Sequence, residues 1–540
     1  MANISFIDKR AGHGMFEDDA PSSRPHIVFI TIDMVPPDFH RAGEVNSGLA
    51  HTPNIDRLRA ESVTFSNAFA NSPLCGPSRA SYLTGRYPYL TVNEERAHDG
   101  WAVALRPDDI IFPEYLKAVG YVTKHAGKSH VGAQKFMDAF GEADTPWNRW
   151  APPLMDDDGY VAYLRRLGIV APVWKNPIRG CALDRKTPDA NYGGFVTQAD
   201  GRPFPEEATY SHYLAALASE KLDAAFAQGV EKGAPLYLQV DFFAPHQPFM
   251  IPAGFEKRAE ELRKRAKLPQ DFLDAKAHDF KRLDGEPRIY EFYRREIGIY
   301  DEDTMREYIV CNALEMESLD GAIGKVIASL KARGVWDSAL VIFAADHGEM
   351  NGQKALVDKG AYCHPRVARV PLLVKSPKGT KTAGAVVDTP VCLLDIAPTV
   401  FEAAGVKPLA RLDGLSLLPL INGHAGSEYG GERMFIMESC WHVAPNPAVA
   451  FQWRKSPDEH YFYTYNLTLE ADELYNLADA SYANLARDPR LSRVKREMLH
   501  RLAAFLKGDP RWRCYWHTMR IDKQEELPTD GGDYSMFRPE

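Results

Sequence analysis

The 540-residue sequence holds only seven cysteines, an odd number spread widely along the chain. That pattern does not supply a disulfide framework. No apolar run approaches the roughly 18 residues needed to cross a bilayer as a helix. The opening stretch MANISFIDKRAGHGMFEDDAPSSRP has no apolar core and carries acids, so it does not read as a secretory signal. Basic charge is also in short supply, with 64 Lys and Arg against 73 Asp and Glu and a net charge of −9. A mildly acidic surface does not recruit nucleic acid or an anionic membrane. Internal repeats and low-complexity tracts are missing as well. These absences together predict a cytoplasmic protein with neither nucleic-acid nor membrane partners. An anionic substrate would need a local pocket of cations to overcome the overall sign.

What is present is ample core material, with 45% hydrophobic residues. Short continuous apolar runs read as buried parallel strands: 26-HIVFITID-33, 235-PLYLQVDFFAPH-246, 339-ALVIFAADHG-348, 370-VPLLVKSP-377 and, more weakly, 120-GYVTKHAGK-128. Helical stretches intervene at 209–229 and 304–334. This alternation predicts an α/β fold, a large mostly parallel or mixed sheet sandwiched by helices. The expected organisation is an N-terminal extension over 1–25 and a catalytic domain over 26–430. A smaller C-terminal α+β unit follows over 431–508, then a tail over 509–540 that could serve as an arm between subunits. Two inserts interrupt the main domain. Residues 143–208 are rich in Pro, Gly and Trp, and residues 253–303 are heavily charged, which reads first as a solvated helix face.

In open α/β sheets ligands bind beyond the carboxyl ends of the strands, so the residues closing each apolar run carry the information. They are Asp33, Asp346-His347, His246 and Lys128-Ser129-His130. One strand-ending Asp is ordinary as a helix cap. Four such endings on one sheet edge are hard to explain separately. Asp33, Asp346 and His347 make a plausible site for a hard or borderline divalent cation. Lys128, Lys359, Arg79, His130 and His246 would add positive charge and proton donors beside it, a combination suited to a tetrahedral anion held against a metal.

The segment 71-NSPLCGPSRASYLTGRYPY-89 adds a side chain aimed at that anion. Pro77 suits a first helical turn and Gly85 a helix stop, predicting a short helix over 77–84 with Cys75 just outside its N-terminus. Free N–H groups there favour negative charge, and Arg79 can reach back from one turn in. Cys75-Gly76-Pro77-Ser78-Arg79 followed by Leu83-Thr84-Gly85-Arg86 resembles the signature of the type I sulfatases of the alkaline phosphatase superfamily. Gly127-Lys128-Ser129-His130, Pro245-His246-Gln247-Pro248, Asp346-His347-Gly348-Glu349 and Asp358-Lys359-Gly360 recur in family order, as do 393-LLDIAPTVFEAAGV-406, 412-LDGLSLLPL-420 and 473-ELYNLADASYANLA-486.

The resemblance implies an alkaline phosphatase-like fold and a formylglycine-dependent esterase. Cys75 would be oxidised to formylglycine by a formylglycine-generating enzyme and would stand as a gem-diol beside one divalent metal held by Asp33, Cys75, Asp346 and His347. One hydroxyl would attack the sulfur of a sulfate ester. His246 and Lys359 would hold the ester oxygen and protonate the leaving alcohol. His130 would deprotonate the second hydroxyl to expel sulfate, while Lys128 and Arg79 orient the diol and the anion. The pattern also departs from the family's commonest form. Met34 stands where many sulfatases carry a second acid, and Asp346-His347 replaces Asp-Asn. Both changes look like the phosphonate monoester hydrolase and choline sulfatase branch, leaving calcium and manganese both open. Lys128 and His130, in contrast, are the sulfatase pair. The expected activity is arylsulfatase-type hydrolysis, with phosphonate monoester or phosphodiester hydrolysis by the same pocket as the alternative. Expected partners are a small anionic ester and further copies of the chain. Trp147, Trp150, Tyr87 and Tyr89 could wall the leaving-group side or simply pack, and Asn93 and His98 could line the pocket.

Overall fold

A computed structural model describes residues 24–88, 105, 109–141, 151–181, 188–377, 382–424, 426–430, 433–442, 444–467 and 471–512. At its centre lies a seven-stranded mixed sheet. Across it the order is Val386–Val387, Val63–Phe65, Leu372–Lys375, Ala339–Ala345, His26–Asp33, Leu236–Pro245 and Val122–Gly127. The last four are mutually parallel. Every residue of Leu236–Pro245 and Ala339–Ala345 is buried. Burial on both faces explains why these strands read as unbroken apolar runs rather than alternating ones.

The strand read at 370–377 corrects the expectation of a parallel arrangement. Leu372–Lys375 runs antiparallel to both of its neighbours. The chain returns from Ala345 through turns, one 3-10 segment, Gln353–Ala355, and one four-residue helix, Pro365–Ala368. No helix long enough for a parallel crossover lies between them.

Two helix groups cover the sheet. Tyr210–Gln228 and the 31-residue helix Glu302–Ala332 pack on each other and on Leu236–Pro245. Cys75–Thr84, Phe112–Ala118 and Ile396–Ala404 form the second group. The long helix also supplies a cap in trans. Helix Pro53–Glu61 has no side-chain cap from its own Thr52. Instead Asp320 accepts from the backbone N–H groups of Asn54 at 3.0 Å and Ile55 at 2.8 Å, satisfying donors that a helix start leaves orphaned.

Within 143–208 the described residues build a small sheet, Pro172–Trp174, Ile178–Cys181 and Pro188–Gln198, joined by Phe249–Ile251. The charged 253–303 stretch forms three helices. The first, Glu256–Arg265, buries Ala259 and Leu262. Its Arg258 and Arg263 meet Glu317 at 2.7 Å and Glu307 at 2.6 Å on the long helix. Four antiparallel strands between Ile436 and Asn476, followed by helix Ser492–Gly508, form the C-terminal part, and one continuous core joins it to the main sheet. Trp512, in the region read as a tail, is fully buried against Tyr87 with ring centroids 5.0 Å apart. Tyr87 is therefore a packing residue and does not wall a leaving group. Trp147, Trp150, Tyr89, Asn93 and His98 lie outside the described residues. Among the described residues no helix is long and apolar enough to cross a membrane.

Candidate active site

Helix Cys75–Thr84 is buried along its whole length. It begins two residues earlier than the sequence suggests. Leu74 is the N-cap and its carbonyl accepts from Ser78 N–H at 3.0 Å, so Cys75 is the first helical residue and not one outside the helix. Pro77 is tolerated because N–H groups of the first turn have no intrahelical partner. Gly85 ends the helix in the left-handed region, φ 66°. Residues four apart share a helix face, which places Arg79 beneath Cys75.

The strand ends converge on this helix. Asp33 and Asp346 each divide their two oxygens. The Oδ2 atoms turn toward cations: Asp33 Oδ2 meets Lys128 Nζ at 2.7 Å and Arg79 Nη2 at 3.2 Å, and Asp346 Oδ2 meets Arg79 Nε at 2.9 Å. The Oδ1 atoms turn toward His347 and Cys75. His347 Nε2 stands 3.7 Å from Asp33 Oδ1, 3.8 Å from Asp346 Oδ1 and 3.1 Å from Cys75 Sγ, while Asp33 Oδ1 lies 3.6 Å from that sulfur. All four side chains are buried, and their donor atoms lie within 4.8 Å of one another. Two carboxylate oxygens, an imidazole nitrogen and residue 75 thus face one point, a donor set that suits calcium, manganese or zinc. His347 Nδ1 lies 2.9 Å from the Gly348 carbonyl, which orients the ring and favours a lone pair on Nε2. The expected ligand set Asp33, Cys75, Asp346 and His347 fits a cation on these grounds.

The electrostatics agree. Burial raises the Cys75 thiol, but Lys128, Lys359 and His347, with a hydrogen bond from His130, outweigh it and hold the thiol well below its ordinary range. Burial lowers His347, yet Asp346, Cys75 and Asp33 lift it to about 9. Burial and the neighbouring Asp33 raise Asp346. For Asp33 burial and Cys75 pull upward, and Lys128, His246 and Arg79 bring the net shift below the ordinary value. Negative charge converges where His347 sits, so a positive charge is favoured there, whether a proton or a metal ion.

A second cluster adjoins the first. Lys359 Nζ and His246 Nε2 are 2.8 Å apart, and His246 Nδ1 lies 2.6 Å from the Gln247 carbonyl. Asp358 approaches Lys359 Nζ at 3.2 Å and accepts from Gln247 Nε2 at 2.7 Å. Asp358 raises Lys359 against the opposing effect of burial. His130 is buried with φ 54°. All six expected catalytic residues, Cys75, Arg79, Lys128, His130, His246 and Lys359, are buried in this neighbourhood.

Sequence reasoning missed Asp241. It is fully buried beside Arg79, 3.6 Å from Nη1. Its carboxylate also meets His125 Nε2 at 2.8 Å and Gln239 Nε2 at 2.7 Å, and accepts from the Thr31 hydroxyl. An acid in the middle of the run LYLQVDFFAP was the available signal.

The fold is of the alkaline phosphatase-like kind, and its strand ends hold a buried Asp-Asp-His-Cys centre. A family model described as Sulfatase matches residues 25–406, most of the chain. The chain belongs to the sulfatase family, sulfuric ester hydrolases of the alkaline phosphatase superfamily. A second model, N-sulphoglucosamine sulphohydrolase, C-terminal, matches residues 352–507. The chain is 28% identical to the uncharacterized sulfatase YidJ of Escherichia coli strain K12, covering 96% of this chain and 93% of that one. It is 26% identical to the choline-sulfatase of Rhizobium meliloti, covering 87% and 84%. It is also similar to the multifunctional alkaline phosphatase superfamily protein PehA of Trinickia caryophylli, 26% identical over 88% and 97%. The solved phosphonate monoester hydrolase of Agrobacterium radiobacter shares the fold with a TM-score of 0.65 at 20% identity, over 90% of this chain and 96% of that one.

Proposed function

We propose that the protein hydrolyses sulfate monoesters of the arylsulfatase type, with residue 75 acting as formylglycine. The observation that carries this reading is the position of Cys75. It heads a buried helix 3.1 Å from His347 Nε2 and 3.6 Å from Asp33 Oδ1, above Arg79 and beside Lys128. A divalent cation held by Asp33, Asp346, His347 and residue 75 would neutralise charge on the anionic ester and favour ionisation of the attacking group. The chain's own residues do the rest. Arg79 and Lys128 orient the anion. One hydroxyl of the aldehyde hydrate attacks sulfur as the bond to the leaving oxygen breaks. The Lys359–His246 pair protonates that oxygen, releasing the alcohol. His130 then takes the proton of the second hydroxyl, the carbon–oxygen bond to sulfate breaks, and the aldehyde returns. Water rehydrates it, so each cycle consumes one water per ester.

Met34 favours a second substrate class. It is buried, with φ 57°, at the position after Asp33, so the centre has one carboxylate fewer than many sulfatases. Phosphonate monoesters and phosphodiesters are singly charged tetrahedral esters like sulfate esters, and the same pocket serves them. A panel of nitrophenyl sulfate, phosphonate, phosphodiester and phosphate monoester, run with calcium and with manganese, tests both readings. The peptide containing residue 75 is weighed in the same preparation. The sulfate ester is expected to turn over fastest on protein bearing the aldehyde, and Cys75→Ala to abolish turnover with the fold intact. Equal rates on the dianionic phosphate monoester, or full activity with a plain thiol, overturn the proposal.

A further inference from the structure

Away from the active centre, a cavity of ≈ 260 Å³ lies between the loop after the first strand and the sheet edge. His40, Arg41, Arg59, Thr64, Ser66 and Leu372 line it. Charge around Arg41 at its wall is out of balance. Arg366 engages both nearby carboxylates, Asp38 and Glu44, the latter at 3.1 Å. Glu44 also accepts from the Tyr482 hydroxyl at 2.6 Å. Arg41 is left with the Ser66 carbonyl at 2.5 Å and a long 3.8 Å approach to Glu44. Behind it Arg369 is buried, its Nη2 donating to the Leu477 carbonyl at 2.9 Å. Arg366 and Arg41 thus share Asp38 and Glu44, with the charge of Arg369 close behind. Arg59 adds a fourth guanidinium at the cavity wall, paired with Asp56. Among the described residues the buried Nε of Arg41, the Nε of Arg369 and Nε2 of His40 have no hydrogen-bond partner.

We propose that this cavity binds a small tetrahedral oxyanion, sulfate or phosphate. Unmatched buried guanidinium charge is costly unless a counter-charge is supplied, and the planar guanidinium fork matches the oxygens of such anions. The volume accommodates one with several waters, each occupying about 30 Å³ of liquid. Burial and the Arg369 charge push Arg41 down to about 10, and burial with Arg41, Arg59, Arg369 and Arg366 holds His40 neutral. Burial is the larger cause of both shifts, and the neighbouring guanidiniums add to it. None of these side chains belongs to the active centre, so the inference stands apart from the reading of the hydrolytic activity.

The test is the rise in thermal midpoint of the full-length protein on titration with sodium sulfate or sodium phosphate, against sodium chloride at matched ionic strength. Any binding of the same anions at the active centre is common to every variant, so the difference between variants is the readout. Arg41→Gln and Arg59→Gln are compared with Arg57→Gln, an exposed change on the same helix as Arg59. The expected result is a half-saturating oxyanion concentration at least tenfold higher in Arg41→Gln and Arg59→Gln, unchanged in Arg57→Gln. Hydrolysis in chloride buffer stays at the native rate in all three. The anion with the lower native midpoint identifies the preferred ligand. If Arg41→Gln does not fold, Arg59→Gln, altered at a part-exposed side chain, carries the test. Native-like titrations in both variants, or an equal response to chloride, overturn the proposal.

Discussion

Asp346 performs two tasks with two atoms. Oδ2 accepts from Arg79 Nε at 2.9 Å, and Oδ1 accepts from the backbone N–H groups of Met34 at 3.2 Å and His347 at 3.0 Å while facing His347 Nε2. An amide in its place keeps the shape but offers one acceptor oxygen, so it can serve Arg79 or the inner face and not both. Asp346→Asn is therefore expected to lose both metal and turnover. Elemental analysis of the purified protein should show sub-stoichiometric metal, and kcat should fall at least roughly 100-fold, beyond the usual cost of removing an outer-sphere partner. Full metal occupancy with native turnover would remove Asp346 from the centre.

Strand Leu236–Pro245 contributes at two places along its length. Its end leads to His246, and its middle carries Asp241, which meets Arg79, His125, Gln239 and Thr31 at once. Asp241 acts through Arg79, so it is a positioning residue. Asp241→Asn should lower kcat roughly 10–100-fold, the range for groups that orient others, with KM for the sulfate ester nearly unchanged. A merely structural role would lower the thermal midpoint and leave kcat per folded molecule alone. The contrast between Asp33 and Asp241 shows what the sequence can reveal. Asp33 closes an apolar run, where a polar residue must lie at the sheet edge, and its exposure to ligand follows from the strand pattern. Asp241 sits inside a run that is buried on both sides, and apart from Gln239 two residues before it its partners come from strands 26–33 and 122–127 and from the Cys75 helix, none of them local in sequence. The direction of Leu372–Lys375 escaped for a related reason. A fully buried strand has the same apolar pattern whether it runs parallel or antiparallel, and its direction is set by the connection before it. The family motifs at 393–406 and 412–420 have a packing role: Asp395 receives Arg433 and the Leu415 N–H at 2.8 Å, and the Gly85 carbonyl accepts from Asp413 N–H at 2.8 Å, backing the Cys75 helix.

At the scale of the whole molecule the helix Glu302–Ala332 ties separate segments to one scaffold. Asn312 donates to Glu349 at 3.0 Å, Glu317 receives Arg258 and the His51 N–H, and Asp320 caps helix Pro53–Glu61. Glu315 accepts from the Met250 N–H at 2.7 Å, close to the turn that presents His246. Burial, only partly offset by that hydrogen bond, raises its carboxyl to about 7. The unfolded chain releases this proton near the ordinary value of 4.5. Below that value both states hold the proton and the group is neutral to stability. As pH climbs from about 4.5 to 7 the unfolded state ionises first, so the folded state loses ground, and above about 7 the loss levels off. Its ceiling is about 3 kcal/mol, the free-energy equivalent of that pKa difference. Glu315→Gln keeps an acceptor for Met250 and removes the titration. The variant should therefore unfold at a higher temperature than the native protein at pH 8 and within error of it at pH 4.5, in scans at fixed ionic strength. Other titrating groups are common to both proteins and cancel in the comparison. An equal difference at both pH values would show that Glu315 is ionised in the folded protein and that its carboxylate is better solvated than its burial implies.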